Sequence, residues 1–436
     1  MAARETALNV LIACRKEGAW SNGVLKTYLV RDKLDRREAA LATRLCYGVL
    51  QNRSLLDHYL KQLLTGKLKN LHPAVRDILH MGLYQLYLMD KIPESAAVNE
   101  SVALAKKYCR FNGASGLVNA VLRNAVRNKD QLKEPKTLED RYSHPKALTQ
   151  LLDSYVGKDR LEKMLAANNA IPPVVVQVNT LRTDKDTLME QLAQEQVTAA
   201  PHSWLEDCLV LQNVGDLEQL RAFQEGLFYV QDAAARQAVL CAQLPEKASV
   251  LDCCAAPGGK SFAAAIAMKG TGSIVSCDVH PHKVELLKKG AERLNFSNIA
   301  PRLQDATEFV PQWEGKMDAV IADVPCSGYG IIRKKPDIRY KDPASMAELP
   351  QLQRKILSNQ ARYVKPGGVL IYATCTLVEA ENEGVVIAFL QTHPEFTLEP
   401  LPLPAALPEN KTGMFAFVPG EFDTDGFFVS RMRRNV

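Results

Sequence analysis

Apolar residues recur at three- and four-residue spacing from residue 3 to about residue 130. The spacing is clearest in ETALNVLIAC, EAALATRLCYGVL and VRDILHMGLYQLYLM. It is interrupted by turn-forming residues at Gly18, Asn22-Gly23, Thr65-Gly66, His72-Pro73, Ile92-Pro93 and Asn112-Gly113. This pattern is typical of amphipathic helices, and it predicts an all-α bundle over residues 1–135.

The next part of the chain is polar and broken by proline, with the sequence KEPKTLEDRYSHPK. It predicts a linker over residues 136–150. Helical segments then alternate with the β-branched run VVVQVNT and with LFYVQD up to residue 235. This alternation predicts a small α+β module over residues 151–235, of the split βαβ (RRM/ferredoxin-like) kind.

From residue 236 to residue 436 the pattern is strand, turn and helix, repeated. SVLDCCA, SIVSCDV, NIAPRLQD, DAVIADVP and GGVLIYATC are apolar runs with little alternation, as expected of strands buried on both faces. They predict a doubly wound, Rossmann-like α/β domain that binds ligands at the carboxyl ends of its strands. MFAFVPG and GFFVSRMRR are strand-like and are expected to complete the edge of the sheet.

Charge changes this picture little, because 54 Lys and Arg against 49 Asp and Glu leave a net charge of only +5. A nucleic-acid partner is permitted but not required by such a balance. Basic residues recur in the helical region, at Arg4, Arg15, Lys16, Arg31, Lys33, Arg36, Arg37, Arg44 and Arg53. They form either an ordinary solvated helix surface or a phosphate-binding surface.

Several classes of protein are disfavoured by the sequence. No apolar run reaches the roughly 18 residues of a membrane span, and Arg4 and Glu5 interrupt any secretory signal, so we expect a cytoplasmic protein without membrane contact. The ten cysteines are scattered without C-x-x-C spacing, which favours free thiols. His280 and His282 have no cysteine at ligand spacing, so no metal site is predicted. No segment demands a partner chain, and we expect a monomer.

The first strand of the α/β domain leads into a loop of small residues before the next helix. It consists of Cys254, Ala255, Ala256, Pro257, Gly258, Gly259 and Lys260. Such a loop lets backbone approach a ligand, but it matches neither the dinucleotide fingerprint nor the P-loop. Asp278 ends the second strand and Asp305 ends the third, where they suit ribose and adenine contacts. Each aspartate alone is more typical of a cap or turn. Together with the loop, they favour S-adenosyl-L-methionine over NAD.

Two cysteines follow directly after the fourth and fifth strands, in DVPCSG and ATCT. These strands are neighbours in the usual doubly wound order, so Cys326 and Cys375 should lie at one edge of the sheet, beside the cofactor loop. A buried strand cysteine is normally inert, but these two stand beyond the strands, at the binding edge. They are therefore candidate catalytic thiols.

A thiol beside a methyl donor suits methylation of a pyrimidine. Addition of a thiolate to carbon 6 of cytosine makes carbon 5 nucleophilic, and a second acid or base then assists loss of the carbon 5 proton and of the thiol. Asp323 is a candidate partner for the ring nitrogen or amino group. A thiol with a pKa near ~8.5 needs a positive field to ionise at neutral pH. Candidates for this field are Lys260, Arg333, Lys334 and Lys335.

Longer segments resemble a known family. CAAPGGK, DVPCSGYGIIRKKPDIRY, YATCT and DGFFVSRMRR are similar to signature segments of the RNA 5-methylcytosine methyltransferases of the NOL/NOP/Sun family. DRREAALATRLCYGVLQNRSLLD, IPESAAVNESVALAKK and GLVNAVLRNAVRN resemble a NusB-like RNA-binding domain. The resemblance covers nearly the whole chain. It implies a NusB-like bundle, a small module and a Rossmann-like methyltransferase domain that methylates carbon 5 of a cytosine in small-subunit (16S) ribosomal RNA with S-adenosyl-L-methionine.

The same resemblance implies roles for individual residues. Cys375 corresponds to the nucleophile and Cys326 to the group that helps release the product. The implied cofactor contacts are Cys254 through Lys260, Asp278, Asp305 and Asp323. The chain departs from the family at Val324, Tyr340, Gln177 and Ala147, where Ala, Trp, Arg and Trp respectively are frequent. These departures put details of RNA contact in doubt, and leave the reaction unaffected.

Two alternatives remain open at the level of sequence. One is a related enzyme that methylates cytosine in transfer RNA, and the other is an RNA-binding assembly factor with a vestigial catalytic domain. The NusB-like region favours ribosomal RNA only by analogy. The presence of both cysteines and of the entire cofactor loop favours an active enzyme.

Overall fold

The chain forms two compact units in a computed structural model that describes residues 2–17 and 21–436. The first unit contains Met1–Gln150 and Ile332–Asp342, and the second contains Leu151–Ile331 and Pro343–Val436. The predicted break at Gly18 lies outside the described residues. A discontinuous first unit is a feature that the contiguous patterns in the sequence do not predict.

The first unit is built from helices, as the apolar spacing predicts. They are α1 (Ala2–Glu17), α2 (Ser21–Arg31), α3 (Arg36–Gln51), α4 (Arg53–Leu63), α5 (Pro73–Leu88), α6 (Glu94–Tyr108), α7 (Ala114–Arg127) and α8 (Leu138–Arg141). Leu8, Leu45 and Leu56 belong to one buried apolar core that these helices share. The all-α prediction for this region is thus confirmed.

Local chemistry fixes where these helices begin and how closely they pack. The side chain of Asp35 accepts a hydrogen bond from the backbone N–H of Glu38 and so caps α3. A Cβ atom at Gly48 would lie 1.9 Å from the ring of Tyr84, so only glycine lets α3 approach α5 this closely. The segment 136–150, expected to be a linker, contains α8 and the buried residues Ser143 and His144.

The second piece of the first unit is anchored by a buried arginine. Arg339 has no exposed surface, and its Nη1 donates to the carbonyl oxygen of Gln51 at 2.8 Å and of Tyr142 at 3.3 Å. Tyr340 Oη donates to the carbonyl oxygen of Leu50 at 2.6 Å. Burial lowers the pKa of Arg339 to about 10, so the guanidinium stays charged at neutral pH. Backbone carbonyl oxygens therefore help to solvate this charge.

The second unit begins with a small α+β module. Its elements are α9 (Lys146–Val156, which contains the boundary), α10 (Lys158–Asn169), β1 (Val174–Val178), α11 (Lys185–Gln194), β2 (Thr198–Pro201), β3 (Cys208–Gln212), α12 (Arg221–Gln224) and β4 (Phe228–Val230). The four strands form an antiparallel sheet in the order β2-β3-β1-β4. Leu188 and Leu192 of α11 pack against this sheet in a separate apolar core.

The rest of the second unit is a doubly wound α/β domain. Its elements are α13 (Ala233–Leu240), β5 (Ser249–Asp252), α14 (Gly259–Ala267), β6 (Ser273–Asp278), α15 (Pro281–Leu294), β7 (Ile299–Leu303), β8 (Met317–Asp323), α16 (Leu349–Ala361), β9 (Val364–Thr374), α17 (Glu383–Thr392), β10 (Phe396–Leu398), β11 (Met414–Phe417) and β12 (Phe427–Arg434). The sheet has the order β10-β12-β9-β8-β5-β6-β7, and β11 pairs with β12. Helical bundle, small module and α/β domain together confirm the predicted fold class.

Strand order explains where a ligand can bind in this domain. Strands β7, β6, β5, β8 and β9 are parallel, with β5 between β6 and β8. The chain builds one half of the sheet from β5 to β7 and then crosses to β8 and β9. The carboxyl ends of β5 and β8 therefore border the crevice at which doubly wound sheets bind ligands.

The tail extends the sheet beyond β9. Strand β12 pairs antiparallel with β9 and with β10, so it lies inside the sheet. The short strand β10, which the apolar pattern does not reveal, forms the outer edge. Within the described part of the chain, no helix combines the length and apolar character that crossing a lipid bilayer would need.

Candidate active site

The loop between β5 and α14 depends on glycine at one position. Gly258 caps α14 with φ of 116°, in the left-handed region that side chains disfavour. A Cβ atom there would lie 2.3 Å from the ring of Phe262. The backbone N–H groups of the first turn of α14 have no partners within the helix and are available to an anionic ligand. The loop thus has the geometry of a ligand cradle.

Asp252 lies at the carboxyl end of β5 and is completely buried. Its Oδ2 accepts a hydrogen bond from Ser261 Oγ at 2.7 Å, but no donor in the described part of the chain reaches Oδ1. Burial raises the pKa of Asp252 to about 7. We did not predict this residue as part of the site, although a lone acid within an apolar strand, directly before the loop, is a signal for one.

Lys260 and Asp323 join the loop to the end of β8. Lys260 Nζ lies 2.5 Å from Asp323 Oδ2. Burial acts to lower the pKa of Lys260, but the charge of Asp323 and the hydrogen bond to it outweigh this effect and raise the pKa. The charge of Cys375 acts in the same direction, so Lys260 is within electrostatic reach of that thiol. A cation is therefore held beside a candidate nucleophile.

The two other predicted aspartates lie at or just after the ends of the neighbouring strands β6 and β7. Asp278 is the last residue of β6 and accepts a hydrogen bond from the backbone N–H of His280 at 3.0 Å. Asp305 follows two residues after the end of β7, not at its end as expected, and accepts from the backbone N–H of Thr307 at 2.7 Å. That hydrogen bond lowers the pKa of Asp305. Both carboxylates thus stabilise turns, and the second oxygen of Asp278, Oδ2, lies 3.8 Å from Lys283 Nζ.

The structure brings the two candidate thiols together. Strands β8 and β9 are parallel neighbours, and Cys326 Sγ lies 3.3 Å from Cys375 Sγ. Both side chains are half-buried, free thiols. The hydrogen bond with Cys375 is the main cause that raises the pKa of Cys326 well above its ordinary value, followed by burial. The Cys326 thiol therefore carries its proton at neutral pH.

A polar layer beneath these thiols was missed by our sequence reasoning. It contains Ser327, Thr376, Glu381 and Asn382, which are all buried. The signal was present as the run ENEG shortly after ATCT, where polar residues follow a buried strand. Buried polar groups of this kind stabilise a fold only when they are hydrogen-bonded, so they mark a constrained place in the molecule.

Three predicted basic residues do not belong to the unit that contains the two thiols. Arg333, Lys334 and Lys335, expected to supply a positive field, belong to the first unit. Among residues 2–17 and 21–436, no group of three or more His, Cys, Asp or Glu side chains is arranged to hold a metal ion. Of the departures expected to affect RNA contact, Gln177 is buried and bonded to Arg236, and Val324 is buried. Both side chains therefore contribute to packing within the second unit.

Family models match three parts of the chain. The model of the 16S rRNA methyltransferase RsmB/F matches residues 239–433, and the NusB family model matches residues 1–127. The model of the ferredoxin-like domain of RsmF/B-like methyltransferases matches residues 144–218. The three matches follow the order helical bundle, small module and α/β domain.

Comparisons over the full chain agree. The probable ribosomal RNA small subunit methyltransferase B of Bacillus subtilis is 36% identical over 443 residues, covering 99% of this chain and 98% of the relative. Ribosomal RNA small subunit methyltransferase B of Vibrio cholerae is 34% identical over 399 residues, covering 90% and 89%. The crystal structure of PH0851 has the same fold, with a TM-score of 0.79, 24% identity and 98% coverage of both chains. The chain therefore belongs to the ribosomal RNA small subunit methyltransferase B family.

Proposed function

We propose that this protein transfers a methyl group from S-adenosyl-L-methionine to carbon 5 of a specific cytosine in small-subunit (16S) ribosomal RNA. The transfer proceeds through a temporary bond between Cys375 Sγ and carbon 6 of the base. The observation that carries the proposal is the pair of thiols at the ends of β8 and β9, with sulfur atoms 3.3 Å apart. Family membership supports the RNA substrate, because the relatives are named for small-subunit ribosomal RNA.

The crevice beside β5 fits the methyl donor. A buried carboxylate oxygen of Asp252 without a donor in the described chain, and the glycine requirement at 258, are expected of a pocket that closes around a polar ligand. When bound, the cofactor supplies an electrophilic methyl group on a sulfonium. The residues proposed to hold it are Cys254, Ala255, Ala256, Pro257, Gly258, Gly259, Lys260, Asp278, Asp305 and Asp323.

The electrostatics of the thiol pair support Cys375 as the nucleophile. Cys326 has the raised pKa, so its proton is available for a hydrogen bond to the Cys375 sulfur. Lys260 lies within electrostatic reach of the same sulfur and can stabilise negative charge that develops there.

Each step of the proposed reaction is assigned to a residue of this site. The Cys375 thiolate forms the Sγ–C6 bond, and the electron pair of the C5–C6 double bond makes carbon 5 nucleophilic. Asp323 contacts the ring nitrogen or amino group of the base. Bonding of Cys375 to the base removes the hydrogen bond that is the main cause of the raised Cys326 pKa, so the Cys326 thiol can release its proton to solvent. After methylation, the Cys326 thiolate takes the carbon 5 proton, the electron pair of the C5–H bond re-forms the C5–C6 double bond, and the Sγ–C6 bond breaks with its electron pair returning to Cys375.

In this proposal the chain has four regions, of which the first binds RNA and the last carries the reaction. Residues 1–135 form the NusB-like RNA-binding domain, 136–150 the connection, 151–235 the ferredoxin-like module and 236–436 the catalytic domain. A match to the NusB family supports the first assignment. We propose no metal ion and a monomeric enzyme.

Two cysteine variants test the reaction. Cys375→Ala should abolish transfer of tritiated methyl groups to 16S RNA fragments while calorimetry still detects cofactor binding. Cys326→Ala should accumulate a protein–RNA adduct that survives denaturing electrophoresis, because release is blocked. Cys109→Ala, which changes a cysteine of the first unit, should behave as wild type. An active Cys375→Ala enzyme, or a Cys326→Ala enzyme without adduct, contradicts the assigned roles.

The substrate is tested separately by mapping 5-methylcytosine in RNA from a strain that lacks the gene. We expect one 16S position to lose its mark. Loss of a transfer RNA mark with 16S RNA unchanged would overturn the proposed substrate and leave the chemistry standing.

A further inference from the structure

Glu381 is a buried carboxylate next to the loop that carries Cys326. Only 3% of its surface is exposed, yet the described residues place no cation in hydrogen-bond contact with it. Its Oε2 accepts from the backbone N–H of Ser327 at 2.9 Å and from Gln353 Nε2 at 2.9 Å, and its Oε1 accepts from Ser327 Oγ at 2.6 Å. Three donors thus compensate for the desolvation of one charge, and two of them belong to the residue after Cys326.

Asn382, the next residue, holds the two neighbours of Cys375. Its Oδ1 accepts from Thr374 Oγ1 at 2.6 Å, and its Nδ2 donates to the carbonyl oxygen of Thr376 at 3.1 Å. A single amide therefore holds the side chain of the residue before the proposed nucleophile and the backbone of the residue after it. An amide suits this position because it offers an acceptor and a donor at once.

A further hydrogen bond joins the two loops. Ser327 Oγ lies 2.7 Å from Thr376 Oγ1. Because the Ser327 hydroxyl gives its only proton to Glu381, Thr376 must be the donor to Ser327. A backbone hydrogen bond also joins the two loops, because the N–H of Gly330 donates to the carbonyl oxygen of Cys375 at 2.9 Å. The residues that follow the two cysteines are thus linked to each other and to one buried dipeptide.

We propose that Glu381 and Asn382 are positioning residues that set the distance between the Cys326 and Cys375 sulfur atoms. Glu381 fixes the first loop, Asn382 fixes the second, and the peptide bond between them fixes one loop relative to the other. The expected effect on the rate of methyl transfer rests on the proposed function. The expected effect on the distance between the two sulfur atoms does not. A shift of about 1 Å at reacting groups is enough to cost on the order of 100-fold in rate.

Near-isosteric variants test this proposal. Glu381→Gln places an amide N–H₂ where donors now converge, and Asn382→Asp removes the donor to Thr376. Glu379→Gln is the matched control, because Glu379 is exposed and lies with Glu381 in the short 3₁₀ helix Glu379–Glu381. Should either variant fail to fold, Ser327→Ala removes one donor and leaves the carboxylate in place. Circular dichroism and Tm establish that each variant is folded.

The first measurement needs neither RNA nor cofactor. In glutathione buffers, one oxidised glutathione takes up the two thiols as a Cys326–Cys375 disulfide and leaves two reduced glutathione molecules, and mass spectrometry of peptides quantifies that disulfide. The equilibrium constant reports how closely the two thiols are held, and we expect it to fall roughly tenfold or more in Glu381→Gln and Asn382→Asp but not in Glu379→Gln. An unchanged constant in both variants overturns the proposal.

The second measurement is single-turnover methyl transfer with saturating RNA and cofactor. We expect the rate constant of the two variants to fall by about 100-fold while the Kd for the cofactor stays within about twofold, because only the thiols have moved. Equal losses of cofactor affinity and rate would indicate general disruption and overturn the positioning role. If the wild-type protein shows no methyl transfer but the disulfide constant changes as expected, the proposed function fails and the positioning role stands.

Discussion

At the scale of single residues, Asp252 couples the candidate active site to pH. Burial raises the pKa of this carboxyl to about 7, against about 3.9 in an unfolded chain. Between these two values the folded chain holds a proton that the unfolded chain has lost, so stability falls as pH rises. The stabilising contribution is complete below pH 4 and is lost as pH passes 7.

Asp252→Asn should remove this dependence. Between pH 5 and pH 8, we expect the free energy of unfolding of the variant to rise by about 3 kcal/mol relative to that of wild type. The measurement is the Tm of both proteins at each pH, and the difference between the two Tm values should change in favour of the variant. Asp305→Asn is the control. Its hydrogen bond from Thr307 lowers the pKa, so Asp305 is ionised in both folded and unfolded chains above pH 5. A Tm difference for Asp252→Asn that stays constant with pH would contradict the proposed burial effect.

At this scale, the sequence predicts the role of a residue when its residue type and local position indicate that role, and not when the role depends on distant partners. Cys326 and Cys375 are predictable because each follows a strand of a recognisable sheet, and neighbouring strands bring them together. Glu381 is not, since its role arises from donors on Ser327 and Gln353, which lie 54 and 28 residues away along the chain. Sequence spacing carries no information on such convergence.

At the scale of elements, the start of α14 depends on Gly258. Gly258→Ala should destabilise the protein by about 1 to 3 kcal/mol, because a Cβ atom at this φ is strained and would meet Phe262. Cofactor affinity measured by calorimetry should fall together with Tm, since the first turn of α14 forms one side of the proposed cradle.

Gly116→Ala serves as the opposite control. Gly116 is an exposed residue in the first turn of α7, and a Cβ atom there would have nothing within 4 Å. We expect this change to raise stability by about 0.5 to 1 kcal/mol, because alanine loses less backbone entropy in a helix. A Gly258→Ala protein that is as stable as wild type would show that the loop can relax around a side chain.

Elements with strong periodicity were predicted well, and short ones were not. The parallel strands β5, β6, β8 and β9 are largely apolar runs that can be recognised, whereas β7, expected to be buried on both faces, is mostly exposed because it is the edge strand. Strand β10 has three residues, and its pairing with β12 decides its conformation more than its own sequence does. The segment 136–150 looks like a linker because it is polar, but His144 and Ser143 are buried by neighbours that its own composition does not reveal.

At the scale of the whole molecule, the first unit is completed by residues far along the chain. Arg339→Met should lower its stability by about 2 to 4 kcal/mol, because buried carbonyl groups such as that of Gln51 lose their donor. The expected readouts are a lower Tm and faster proteolysis within residues 1–150. Arg354→Met, a change at an exposed arginine of α16, should leave both unaltered. Equal Tm values for the two variants would rule out the anchoring role of Arg339.

The discontinuity of the first unit also shapes how the protein is made. Its helices leave the ribosome first, but Arg339 emerges about 190 residues after Gln150, a delay on the order of 10 to 40 seconds at bacterial elongation speeds. During that interval the carbonyl groups of Gln51 and Tyr142 must remain hydrated. The NusB-like bundle is thus synthesised early but matures late, after much of its downstream neighbour has already been translated.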